Sequence, residues 1–167
     1  MSARVLERCD ELARISEEPD RLTRRFGTEA MKEANELVGG WMQEAGLTVR
    51  EDAVGNLIGR RGDGPVLMLG SHLDTVVDAG RYDGPLGVLA AIEAAERVDR
   101  PLEVVGFADE EGVRFGTAYL GSSAMTGRFD PAWLELRDGD VRLGDLVGDV
   151  GPARDDVLGY VEVHIEQ

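Results

Sequence analysis

The run Leu102-Glu103-Val104-Val105-Gly106-Phe107-Ala108 is almost continuously apolar and leads straight into three acids, Asp109, Glu110 and Glu111. A strand of this composition is usually buried on both faces, as in the middle of a sheet covered by helices. A second apolar run, Pro65 to Leu69, feeds into His72, and the segment Pro85 to Val98 follows shortly after Asp83. That segment has helical spacing, with Leu86, Val88, Leu89, Ile92 and Ala95 on a broad apolar face and Glu93, Glu96 and Arg97 outside. Strands alternating with helices predict an α/β fold.

The remaining segments fit this plan. Val5, Leu6, Cys9, Leu12, Ala13 and Ile15 mark one face of an opening helix, ended by the turn-like Glu17-Glu18-Pro19-Asp20, and Arg21 to Gly27 reads as a loop. Thr28 has the chemistry of an N-cap for a helix carrying Met31, Ala34, Val38, Trp41 and Met42, with Gly46 as its stop. Leu47 to Ala53 and Leu57 to Arg61 read as strands around Gly55-Asn56. Gly116 to Ser123 reads as a loop leading into a short helix, another helix is expected from Asp130-Pro131, a weak one over Leu143 to Val147, and a last strand over Leu158 to His164.

The length of 167 residues suits one domain or part of one. A formal net charge of −15 argues against long-range attraction to nucleic acid or an anionic membrane. The one cysteine, Cys9, cannot form an intrachain disulfide and fits a small core position. The charged N-terminal segment lacks the apolar centre of a signal peptide, and no apolar window approaches a spanning length, so a cytoplasmic location is expected.

Candidate chemistry gathers at strand ends. His72 and Asp83 lie between a strand and a helix, and Glu110, Glu111 and His164 each follow or close a predicted strand. Histidine and carboxylate side chains at such positions can converge on a divalent metal.

With these words on the page, Gly70-Ser71-His72-Leu73-Asp74-Thr75, Tyr82-Asp83-Gly84, Asp109-Glu110-Glu111-Gly112-Val113-Arg114-Phe115 and His164-Ile165-Glu166-Gln167, the chain resembles the N-terminal part of hydantoinase/carbamoylase-type amidohydrolases. That group includes allantoate amidohydrolase and N-carbamoyl-L-amino-acid hydrolase, within the wider di-metal peptidase-like family. The resemblance runs from about Ala30 to Gln167. It implies an α/β fold with a mixed sheet flanked by helices, a di-metal aminopeptidase-like catalytic domain, incomplete at its C-terminus, without the family's lid and dimerisation domain and its C-terminal catalytic portion.

The resemblance further implies that His72 and His164 bind one metal, that Asp83 bridges two, and that Glu111 binds the second. Glu110 would be the general base, and Gln167 a substrate contact. The implied reaction is attack of metal-bound hydroxide on the carbonyl of a small ureido compound, such as allantoate or an N-carbamoyl amino acid. Zinc is the first choice of metal, with manganese, nickel or cobalt also suited to a mixed N/O site. Since the family's last metal-binding histidine would lie beyond Gln167, only one of the two ions is expected to be well held. A catalytically silent fragment that binds metal or a complementary chain, and a related aminoacylase or dipeptidase, are the alternatives.

Two further residues carry a reading of their own. Asp74 lies two positions beyond His72, so in an extended segment its carboxylate would accept the second ring N–H of that histidine and serve catalysis by orienting it. Arg114 reads either as a clamp for a substrate carboxylate or, more commonly for a lone Arg after a strand, as a structural cation. The family pattern also implies a homodimer.

Overall fold

A computed structural model describes residues 2–165. Its elements, in order, are α1 (Ala3–Leu12), α2 (Glu29–Glu44), β1 (Thr48–Glu51), β2 (Leu57–Arg61), β3 (Val66–His72), α3 (Pro85–Ala95), β4 (Leu102–Phe107), α4 (Leu120–Met125), β5 (Arg137–Asp138), β6 (Val141–Arg142) and β7 (Val157–Val161). The main sheet has the order β1-β2-β4-β3-β7. β1, β2 and β4 pair antiparallel, whereas β4, β3 and β7 run parallel, so the sheet is mixed as expected.

The alternation within β4 explains its central place. Leu102 and Val104 face a core built with α1, α2 and α3, while Val105 faces a second core with Ile58, Met68 and Met125. Glu103, which interrupts the apolar run, points to neither solvent nor a void. It is fully buried, and its two carboxylate oxygens accept from Arg60 Nη1 at 2.8 Å and Arg154 Nη1 at 2.5 Å. Burial of a carboxylate is tolerable only with such partners.

Local chemistry starts the helices where the sequence suggests. Thr28 caps α2 by accepting from the Met31 amide, and Gly46 takes a positive φ of 79° just past its end. α3 opens with Pro85 at its first turn and is buried almost all round, since it lies against both the sheet and α1.

Four expectations need correction. Glu93 is buried rather than outside, because the start of α1 covers it and Ser2 Oγ donates to its carboxylate at 2.5 Å. The turns at Pro131–Glu135 and Leu143–Asp145 are 3-10 helices of five and three residues, the short form in which this geometry is usual. β1 is shorter than Leu47 to Ala53, because Asp52 folds the chain back to meet Asn56. Finally, β7 stops at Val161, so His164 lies beyond the strand instead of closing it.

The burial pattern makes a stability prediction. Ile92→Ala, at a fully buried position, should cost about 2–5 kcal/mol in urea unfolding. Leu158→Ser, on the outer strand at 75% exposure, should change it by no more than about 0.5 kcal/mol.

Candidate metal centre

β3 and β4 run parallel in a register that sets His72 level with Phe107, and β3 pairs in turn with β7. The three chain segments leaving these strands therefore emerge at one end of the sheet, where open α/β sheets carry their ligands. They bring His72, then Asp109-Glu110-Glu111, then His164. Asp83 arrives from another direction, immediately before the N-terminus of α3, where the helix dipole favours an anion.

Three donor atoms converge there. His72 Nε2 lies 3.4 Å from His164 Nε2 and 3.9 Å from Asp83 Oδ1, and His164 Nε2 lies 3.3 Å from Asp83 Oδ1. Ligands at zinc–nitrogen and zinc–oxygen distances of roughly 2.0–2.1 Å around a tetrahedral ion stand roughly 3.3–3.4 Å apart. The other ring nitrogens settle the tautomers. His72 Nδ1 is 2.9 Å from the Asp74 carbonyl oxygen and His164 Nδ1 is 2.9 Å from the Ile165 carbonyl oxygen, and a carbonyl can only accept. In their neutral forms both imidazoles thus turn a lone pair, not a proton, toward a carboxylate oxygen. That arrangement fits a cation.

The field points the same way. Burial opposes a charge on His72, but the Asp74 and Glu110 carboxylates outweigh it and raise the pKa to about 9. Glu110 Oε2 lies 3.7 Å from His72 Nε2, and Glu111 joins these two residues in a second group of donor atoms within 4.8 Å of one another. Burial, reinforced by neighbouring acids and opposed by His72, holds both glutamates above the usual carboxylate range. Glu110 also borders a largely apolar cleft of about 460 Å³ walled by Met68, Phe107, Tyr119 and Tyr160.

Asp74 performs a different task from the one expected. Because β3 ends at His72, the strand alternation does not carry on to residue 74, and it is the backbone carbonyl of Asp74 that turns onto the imidazole. Its carboxylate, 3.6 Å from His72 Nδ1, accepts instead from the Glu110 amide at 3.2 Å and the Glu111 amide at 3.1 Å. One residue thereby orients the histidine and holds the backbone of the glutamate pair.

Arg24, read only as part of a loop, supports this segment from behind. Its fully buried guanidinium donates to the carbonyls of Leu12, Ile15 and Leu73, and its backbone pairs with Thr75. Asp109 was likewise not singled out by its sequence context. It is buried at a positive φ of 48°, and burial together with Asp74, partly offset by Arg114, pushes its carboxyl up to about 7. Arg114 itself is structural: it donates to Asp138 Oδ2 and to the Phe26 carbonyl, each at 2.8 Å. Gln167 lies outside the described residues.

No family model matches the chain. It is 41% identical to an N-carbamoyl-L-amino acid amidohydrolase of Geobacillus stearothermophilus, over 98% of this chain and 46% of that protein. It is 40% identical to an allantoate deiminase of Arabidopsis thaliana, over 98% of this chain and 36% of the relative. A hydantoinase/carbamoylase family amidase from Burkholderia ambifaria superimposes with a TM-score of 0.88 at 35% identity, again over 98% of this chain and 45% of that one. Over nearly its whole length the chain is similar to part of the hydantoinase/carbamoylase amidohydrolases. It spans less than half the length of these relatives. Within the group's fold, the residues matched by sequence words, His72, Asp83, Glu110, Glu111 and His164, are the ones gathered at the end of the sheet.

The grip of Asp74 on two amides gives a second prediction. Asp74→Asn must turn an NH₂ group toward one of the Glu110 and Glu111 amides, and should lower stability by about 1–3 kcal/mol in urea unfolding.

Proposed function

We propose that the chain supplies the N-terminal catalytic portion of a metal-dependent amidohydrolase that cleaves a C–N bond of a ureido compound, either allantoate or an N-carbamoyl amino acid. The observation that carries this reading is the convergence of His72 Nε2, Asp83 Oδ1 and His164 Nε2 at 3.3–3.9 Å. These residues would hold one divalent ion, and Glu111 with Asp83 would contribute to a second. Two imidazoles and a carboxylate suit zinc, while manganese, nickel and cobalt accept the same donor types. Such an ion, when bound, polarises a carbonyl oxygen and acidifies water.

The chain's own residues account for the proton traffic. Glu110, held above the usual carboxylate range by burial, is matched to take a proton from water more readily than a solvated glutamate. As the water oxygen bonds to the carbonyl carbon and the C–N bond breaks, Glu110 returns that proton to the departing nitrogen. Asp74 keeps Glu110 and Glu111 in place through their amides and His72 through its ring. Glu110, not Asp74, is the proton carrier in this reading.

In the whole enzyme a lid and dimerisation domain and a C-terminal catalytic portion would complete the second ion's ligands and the substrate site, with Gln167 as a substrate contact and the assembled protein a cytoplasmic homodimer. Among the described residues no helix is long and apolar enough to cross a membrane. The chain's span of less than half the relatives' length favours a second reading for the isolated polypeptide, a metal-binding fragment without turnover.

Two measurements test this. Calorimetric titration of the metal-free chain with zinc should give one well-held ion, weakened at least about tenfold by His164→Ala; two equally tight sites would contradict it. Hydrolysis of allantoate and of N-carbamoyl amino acids, with zinc or manganese added, should fall at least about a hundredfold in Glu110→Gln while zinc affinity at the three-donor site holds. Zinc binding without turnover in the unaltered chain would select the fragment reading.

A further inference from the structure

We propose that Asn56 is a positioning residue that sets the end of β4 and, through it, the aim of Glu110 and Glu111. The inference rests on the roles given above to those two glutamates, but its geometry is independent of them. Asn56 is fully buried, in the turn between β1 and β2. Its Oδ1 accepts from the Ala108 amide at 2.9 Å, and its Nδ2 donates to Asp52 Oδ2 at 2.8 Å and to the Gly121 carbonyl at 3.2 Å.

The place of these bonds gives them their effect. Pairing of β2 with β4 ends with Leu57 opposite Gly106, so the backbone ladder does not reach Ala108. The Asn56 side chain takes up that amide instead, at the point where the chain leaves the sheet and enters Asp109 at positive φ. A side-chain acceptor frees the backbone from the strand's pleat, and two carboxylates that would alternate in a strand can then serve one site. Asp52 prepares this acceptor, since its Oδ1 also takes the Val54 and Asn56 amides and fixes the turn.

On the opposite side, the returning segment closes the clamp. The amides of Tyr119, Leu120 and Gly121 donate to the carbonyls of Glu110, Asp109 and Ala108, respectively. Gly121 is required by the packing: a Cβ there would overlap Asn56 Oδ1 and crowd the Ala108 nitrogen. The backbone from Ala108 to Glu111 is thus held by Asn56 at its start, by Asp74 at its end, and by residues 119–121 along its carbonyls. The side chain of Asn56 bonds to Asp52, Ala108 and Gly121, and so acts on the metal-ligand candidates through the backbone, which is why its role is positioning and not catalysis.

Amide hydrogen exchange on the metal-free chain separates this role from simple support of the fold, and it needs neither metal nor turnover. In Asn56→Ala, exchange at Glu110, Glu111 and Gly121 should accelerate at least about tenfold, while Leu69 in β3 and Ile92 in α3 change by less than about threefold. Val88→Ala, in the core of α3 away from the clamp, should instead shift these positions together. Should Asn56→Ala not fold, Asn56→Ser keeps a small polar group in the same space and carries the same expectation. Uniform acceleration, unchanged exchange at Glu110 and Glu111, or failure of both variants to fold would overturn the positioning role. The hydrolase reading would stand or fall separately, on the Glu110→Gln comparison.

Discussion

The parallel pairing of β3 with β4 is the constraint on which the site depends. Its register places His72 and Phe107 side by side, and the next residues of both strands leave the sheet at the same edge. Everything that follows is a matter of turning those two exits toward each other. The Asp74 carboxylate joins them by accepting two amides from the other exit, while its own carbonyl steadies the imidazole at the end of its strand. A slip of the register would separate these groups, and buried burdens on both faces of β4 resist such a slip.

Electrostatics completes what the register begins. Asp74, Asp83 and Asp109 are buried within the same small region as Glu110 and Glu111, which raises several carboxyl groups above their ordinary range and draws positive charge to His72. Such a cluster is unfavourable in isolation, since each carboxylate loses solvent and meets like charges. A divalent ion would relieve the repulsion, so under the proposed function the cost of assembling the site and an affinity for metal would have one origin. Arg24 and Arg114 serve it differently, by anchoring loops through backbone carbonyls rather than by pairing with the central acids.

The layers of the fold were legible because burial leaves a periodic trace. The nearly unbroken apolar run of β4, the helical spacing of α2 and α3, the Thr28 cap and the Gly46 stop all report local physics, and they stand where they were read. The candidate site residues stand out for a different reason, the resemblance of four short words, and the structure brings His72, Asp83, Glu110, Glu111 and His164 together. A local rule fails past the end of the element that justifies it. Strand alternation does not run from His72 to Asp74, because β3 ends at His72, and it does not reach His164, because β7 stops at Val161. Glu93 was placed outside because nothing in its own helix reveals that α1 covers it.

By itself, then, the sequence determined the α/β alternation, the central position of β4 and which residues have donor groups of the kind a metal site uses, since hydropathy period and side-chain chemistry are properties of nearby residues. Only the tertiary structure decided how those residues cooperate. The division of Asp74 between a histidine ring and two amides, the burial of Arg24 against three carbonyls, the pairing of Glu103 with two arginines and the clamp of Asn56 on Ala108 all join segments distant along the chain. Buried polar groups must find hydrogen-bond partners wherever the fold supplies them, and a partner many residues away leaves no mark on the local pattern.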